Sequence, residues 1–137
     1  MNILSFLVAT GFLAVTAIAG DFVVIANPAT SAGSIDKAEL KRLFTGKIKE
    51  FDGKKATPIN LPDGTPAKVD FLKEIVGESE ADYKQYWIEQ KVKGNGVPPM
   101  QQGTSAAVKA MVAAIPGSVA YIPKADADAT VKVIAVK

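Results

Sequence analysis

The sequence contains no cysteine and no histidine. The lack of cysteine excludes disulfides and thiol catalysis, and the lack of histidine removes the commonest general base and metal ligand. Sixteen basic and fourteen acidic residues give a net charge of only +2, and the two signs are interspersed. Nucleic-acid-binding surfaces normally carry a strong basic patch. We therefore expect no nucleic-acid partner, no metal and no cofactor.

Enzymatic motifs are missing as well. The sequence contains no nucleophile elbow, no Walker-type phosphate loop and no spaced set of metal ligands. Asp126 and Asp128 stand in an Ala-rich stretch, which predicts a solvated loop rather than a metal site. We therefore predict a protein without catalytic activity, and a hydrolase that uses carboxylates is the alternative.

The beginning of the chain is apolar and uncharged. Residues 1–19 contain no charged side chain, and the small residues Ala17 to Ala19 lie at the cleavage spacing of a secretory signal peptide. We predict a signal peptide over residues 1–19, a single α/β domain over residues 20–137, and a periplasmic location. A membrane anchor is the alternative, because the apolar run approaches the shortest spanning length of about 17 residues.

Short apolar runs alternate with helical patterns through the rest of the chain. Phe22–Ala26 and Ser118–Ile122 predict buried strands. Each predicted helix follows a capping residue: Asp36, Thr65, Ser79 or Thr104. The helix after Thr65 is expected to bury Val69, Leu72, Ile75 and Val76. The alternation predicts an α/β, three-layer-like domain in which helices flank a small mixed sheet.

Two of these helix starts have the chemistry of an anion site. The first is Asp63-Gly64-Thr65-Pro66, and the second is Gly103-Thr104-Ser105. The start of a helix presents unpaired N–H groups and the positive end of the helix dipole. The residues we predict to bind a ligand are Gly64, Thr65, Lys68, Thr104 and Ser105. At each start taken separately, ordinary helix capping is the favoured role and anion binding is the alternative.

Several motifs occur in the order and at the spacing of a known family. They are Ile35–Lys47 (IDKAELKRLFTGK), Phe51-Asp52-Gly53, Asp63-Gly64-Thr65, Tyr86-Trp87 followed by Gly94, and Pro116–Tyr121 (PGSVAY). Together they resemble the phosphate-type substrate-binding proteins of ABC transporters, whose two lobes close on an oxyanion. The resemblance implies one lobe of a type II periplasmic binding protein, mostly the second, with phosphate or a related oxyanion as ligand. The partners it implies are an ABC permease, a second lobe on another chain, or a second copy.

The first helix start departs from the family pattern at two positions. Asp63 stands where the family has a hydroxyl residue, and Pro66 stands where it has an arginine. An arginine would bind phosphate through two parallel hydrogen bonds, whereas proline has no N–H to donate. These departures favour an alternative function, a partner-binding or self-associating module that retains the fold and has lost the ligand.

Overall fold

The computed structural model describes residues 20–137 of the chain. The predicted signal peptide, residues 1–19, lies outside the described residues. Between residues 20 and 137, none of the helices is both long enough and apolar enough to cross a membrane.

A mixed β-sheet forms the middle of the fold. The strands are β1 (Phe22–Ala26), β2 (Ser34–Ile35), β3 (Glu50–Phe51), β4 (Lys54–Lys55), β5 (Thr57–Asn60), β6 (Met100–Gln101), β7 (Ser118–Pro123) and β8 (Lys132–Val136). β3 and β4 form a separate hairpin, and the other six strands form the sheet in the order β2-β8-β1-β7-β5-β6. β1 runs antiparallel to β7 and β8, whereas β5 runs parallel to β6 and β7. The predicted mixed sheet is confirmed.

Four α-helices cover the sheet. They are α1 (Lys37–Phe44), α2 (Pro66–Phe71), α3 (Glu80–Val92) and α4 (Ser105–Ala114). A π-helical turn over Leu72–Val76 continues α2, and a short 3-10 turn over Lys124–Asp126 follows β7. The glycines after the π-helical turn and after α3 have positive φ, as expected where helices end.

The helices lie on both faces of the sheet. Tyr121 of β7 stacks on Phe71 of α2, with ring centroids 4.0 Å apart. Ser118 of the same strand donates a hydrogen bond of 3.1 Å to the carbonyl of Val112 in α4. Side chains three positions apart in a strand point to opposite faces. α2 and α4 therefore occupy opposite faces, and the predicted three-layer α/β arrangement is confirmed.

The buried side of α2 differs from the prediction. Val69 is 41% exposed, whereas Lys68 is only 4% exposed. The buried positions repeat nearly every four residues because the second half of this segment is π-helical, as the hydrogen bond from Gly77 N to Leu72 O shows. The prediction of a buried Val69 was wrong, since it assumed a regular α-helix throughout.

Two of the four expected side-chain caps form. Ser79 accepts a hydrogen bond from the amide of Asp82, and Thr104 accepts one from the amide of Ala107. Asp36 and Thr65 occupy the N-cap positions of α1 and α2, but their side chains make no capping hydrogen bond. The four capping residues therefore predicted correctly where each α-helix begins, although the capping hydrogen bond forms at only two of the four positions.

Candidate functional site

The two predicted anion-binding helix starts lie at the same edge of the sheet. β5 and β6 are parallel neighbours, and their last residues, Asn60 and Gln101, are paired. α2 begins after the loop that follows β5, and α4 begins after the loop that follows β6. The last residues of β5 and β6, Asn60 and Gln101, line a crevice at this edge. In open α/β sheets, ligands bind at such a point.

We call this depression the strand-end crevice. It has a volume of about 430 Å³. Its lining comes from the strand ends, the start of α2, the segment before β6 and α3, which contributes the charged residues Glu80, Lys84 and Lys91 as well as apolar side chains. Representative lining residues are Asn60, Asp63, Lys68, Gln101, Trp87 and Pro98. The volume falls in the range of small-molecule sites in proteins.

Lys68 lies within this crevice and is almost completely buried. Its Nζ is 2.7 Å from Oδ1 of Asp63 and 3.4 Å from Oε1 of Gln101. The same ammonium lies 6.0 Å from the centre of the Tyr83 ring. A buried ammonium is strongly unfavourable unless a counter-ion compensates it. Asp63, which stands in the place of a hydroxyl residue, therefore neutralises the cation that was predicted to bind an anion.

The amide of Gly64 is also occupied by a carboxylate of the chain. Gly64 N donates a hydrogen bond of 2.7 Å to Oε2 of Glu80, the first residue of α3. Gly64 has φ = 87°, a left-handed conformation that glycine adopts without strain. The Thr65 hydroxyl donates to the carbonyl of Pro62 at 2.8 Å. The Gly64 amide, the Thr65 hydroxyl and the Lys68 ammonium are therefore all engaged within the chain.

The start of α4 is different. Thr104 is exposed, and its hydroxyl oxygen accepts a hydrogen bond of 3.1 Å from the amide of Ala107. Ser105 is half-buried and is the first residue of the helix. Capping of α4 by Thr104 is confirmed, and the binding of an anion by Thr104 and Ser105 stays a prediction.

A buried hydrogen-bond network fixes the end of β5 beside the crevice. The Tyr121 hydroxyl donates to Oδ1 of Asn60 at 2.8 Å and accepts from the amide of Leu61 at 3.2 Å. Nδ2 of Asn60 donates to the Tyr83 hydroxyl, which in turn donates to the carbonyl of Phe44. Burial raises the pKa of both tyrosines above the ordinary value, so both hydroxyls remain protonated.

Sequence reasoning missed Asn60, Gln101 and Glu80. Asn60 is the last residue of a short apolar strand, and an amide in that position is a usable sequence signal. Gln101 and Glu80 carry no local pattern, because their contacts with Lys68 and Gly64 are formed only when distant segments pack together.

Comparisons with known proteins agree with the motifs. No family model matches the chain. The phosphate-binding protein PstS of Bacillus subtilis is 32% identical over 101 residues, which are 70% of this chain and 29% of that protein. A solved protein from Clostridium perfringens, described as a phosphate ABC transporter substrate-binding protein with bound phosphate, has a TM-score of 0.66 at 19% identity. An ABC-type phosphate transport receptor from Vibrio cholerae also has a TM-score of 0.66, at 14% identity.

The match covers part of each relative. The two solved structures are matched by 85% of this chain, over 44% and 46% of their own lengths. The chain therefore spans less than half of the solved structures and about three tenths of the curated relative. At these identities the solved structures show the fold alone. The predicted resemblance to phosphate-type substrate-binding proteins of ABC transporters is confirmed, in sequence by the Bacillus protein and in fold by the solved structures.

Proposed function

We propose that this chain is a non-enzymatic, periplasmic binding domain for phosphate or a related oxyanion. The observation that supports the proposal is a crevice at the ends of β5 and β6 whose lining includes the buried ammonium of Lys68, at the sheet edge where α2 and α4 both begin. Helix starts and cations both favour anions. The relatives named above are described as phosphate-binding or phosphate-transport proteins, which supports the same class of ligand.

Of the five proposed donors, Lys68 lines the crevice, and the other four belong to the two helix starts at the same edge of the sheet. The five donors are Gly64, Thr65, Lys68, Thr104 and Ser105. An incoming oxyanion would compete with Asp63 for Lys68 and with Glu80 for the Gly64 amide. A monohydrogen oxyanion reduces the first conflict, because its proton can be donated to the Asp63 carboxylate. This competition predicts weaker binding than a site without internal carboxylates would give.

Calorimetric titration of the purified protein with phosphate, sulfate and molybdate tests this proposal. We expect saturable heat with phosphate that Lys68→Met abolishes. Lys124→Met is the matched control, because Lys124 is exposed and lies outside the crevice. Absence of saturable heat with folded wild-type protein at millimolar phosphate would overturn the proposal.

The internal carboxylates favour a second candidate function, a partner-binding or self-associating module. Asp63 and Glu80 already pair with Lys68 and the Gly64 amide, so these two donors have partners within the chain in the absence of a ligand. The chain spans less than half of its solved relatives. The partner we propose for such a module is a second copy, a lobe on another chain or an ABC permease.

Light scattering after size-exclusion chromatography, with and without phosphate, distinguishes the two functions. A dimer that phosphate stabilises supports self-association around the ligand. A monomer that binds phosphate supports the first function alone. A monomer that gives no phosphate response favours a different protein as the partner.

The proposed export has its own test. N-terminal sequencing of the protein recovered from a periplasmic fraction should begin at or next to Gly20. Intact Met1 in a membrane fraction would instead indicate that residues 1–19 form an anchor.

A further inference from the structure

A second depression adjoins the strand-end crevice at Trp87, Pro98 and Pro99. We call it the apolar groove, and its volume is about 330 Å³. Its lining is mostly apolar and includes Leu43, Ile48, Ala56, Pro58 and Met100. Val97 and Met100, at its edge, are 70% and 43% exposed. Exposed apolar side chains around a concave surface are typical of a site that another molecule covers.

The charged residues that line the apolar groove have one sign, although the exposed Glu50 is paired in register with Lys55 across the β3–β4 hairpin. Among the described residues, its charged lining consists of Lys49 and Lys55, and both are exposed. Within residues 20–137, neither ammonium lies within 4.0 Å of a carboxylate. In the described part of the chain, the Lys49 ammonium donates one hydrogen bond, of 3.4 Å, to the carbonyl of Gly46. An apolar floor with unpaired cations at its rim is complementary to an apolar side chain flanked by carboxylates.

The strand beside the groove limits how a partner can bind. β6 pairs with β5 and is the last strand of the sheet, so its outer edge is open in the described part of the chain. Pro98 and Pro99 directly precede β6 and have no N–H to donate. Prolines at an open edge hinder the addition of another strand. A partner is therefore recognised through its side chains rather than by extension of the sheet.

We propose that the apolar groove docks an extended segment of a partner protein in which one large apolar side chain is flanked by Asp or Glu. The apolar side chain fills the groove beside Met100, and the carboxylates pair with Lys49 and Lys55. A side chain fits a concave groove, whereas a membrane surface offers nothing to fill it. This proposal is independent of the oxyanion site, because neither lysine lines the strand-end crevice.

Selection from a phage library of random dodecapeptides tests the proposal. We expect the enriched peptides to combine a large apolar residue with an excess of Asp and Glu. The double variant Lys49→Glu/Lys55→Glu should bind those peptides about tenfold more weakly. The matched control is Lys93→Glu/Lys124→Glu, which changes the net charge equally at exposed positions outside the groove and should bind them as the wild type does.

A charge swap separates recognition from misfolding. The same peptides, resynthesised with Lys in place of Asp and Glu, should bind the Lys49→Glu/Lys55→Glu variant better than the wild type. The proposal is overturned if the selected peptides lack an acidic excess, or if the groove variant and the control lose affinity equally. Binding of the protein to vesicles of anionic phospholipid, lost in the groove variant while no peptide is enriched, would assign the groove to a membrane surface and also overturn it.

Discussion

The starts of α2 and α4 share an edge of the sheet but satisfy their donors in opposite ways. Thr104 caps α4 locally, because its hydroxyl oxygen accepts a hydrogen bond from the amide of Ala107, three residues further along the chain. At the start of α2, Glu80 of the next helix accepts a hydrogen bond from the Gly64 amide, and Asp63 forms an ion pair with the buried Lys68. The local cap of α4 leaves the surroundings of that helix start open to a ligand. At the start of α2, carboxylates of the chain already bind the Gly64 amide and the Lys68 ammonium. Helix starts with similar sequences can therefore differ in availability.

Removal of the Asp63 carboxylate should affect the molecule most. Asp63→Ala leaves the Lys68 ammonium buried without its counter-ion, so we expect a loss of about 2 kcal/mol in the free energy of unfolding. Urea denaturation measures the loss. The double variant Asp63→Ala/Lys68→Met should recover most of it, because no buried charge remains. A single variant as stable as the wild type would show that Gln101 or water already compensates Lys68.

Truncation of the two threonines compares the helix starts directly. Thr104→Ala removes a true cap and should lower the free energy of unfolding by about 1 kcal/mol. Thr65→Ala removes a hydrogen bond to Pro62 and no cap, so its effect should be about half as large. Thermal unfolding of both variants under one condition measures the difference. Equal losses in the free energy of unfolding would contradict the conclusion that Thr104 caps its helix and Thr65 does not.

Replacement of Glu80 should open the start of α2. Glu80→Gln keeps an oxygen that accepts from the Gly64 amide but removes the negative charge that competes with an oxyanion. We expect affinity for phosphate to rise about threefold by calorimetry. Asp82→Asn is the matched control, since Asp82 lies in the same turn of α3 but does not line the crevice. An equal rise in phosphate affinity in both variants would show that the effect comes from the change in net charge alone.

The smallest effect concerns the acid stability of α4. Hydrogen bonds from Lys109 of α4 and from Thr130 lower the pKa of Asp128 to about 2. Because the folded carboxylate binds its proton less tightly than the unfolded one, its contribution is present above about pH 4. That contribution is lost as the pH falls toward about 2. Melting curves of wild type and Asp128→Asn should therefore differ slightly at pH 7 and converge near pH 2.

The positions of the strands and helices could be predicted from the sequence, because they depend on residues that are neighbours in the chain. The β-branched run Phe22–Ala26 coincides with β1, and Ser118–Ile122 lies within β7, one residue shorter. Ser79 and Thr104 were identified as caps because a cap and its amide are three residues apart.

The site was only partly predictable, because its decisive contacts join distant segments. Lys68 was named from its position one turn into α2, but its burial and its contact with Gln101 were not predicted. The Gly64–Glu80 contact spans sixteen residues, and the Lys68–Gln101 contact spans thirty-three. No local periodicity encodes either contact. The sequence therefore predicted a free anion-binding site at the start of α2, where the folded chain places the carboxylates of Asp63 and Glu80.

The chain contains a single tryptophan, and that residue lines both the strand-end crevice and the apolar groove. Trp87 is only 6% exposed, so its indole is held in a largely apolar environment. Its ring lies edge-on to Tyr83 and to Tyr86, at 6.5 and 5.3 Å. The protein therefore carries its one tryptophan fluorophore at the boundary of its two candidate sites. With excitation selective for tryptophan, we expect its emission to report occupancy of either site without an added label, and the Lys68 and Lys49/Lys55 variants to distinguish the two sites.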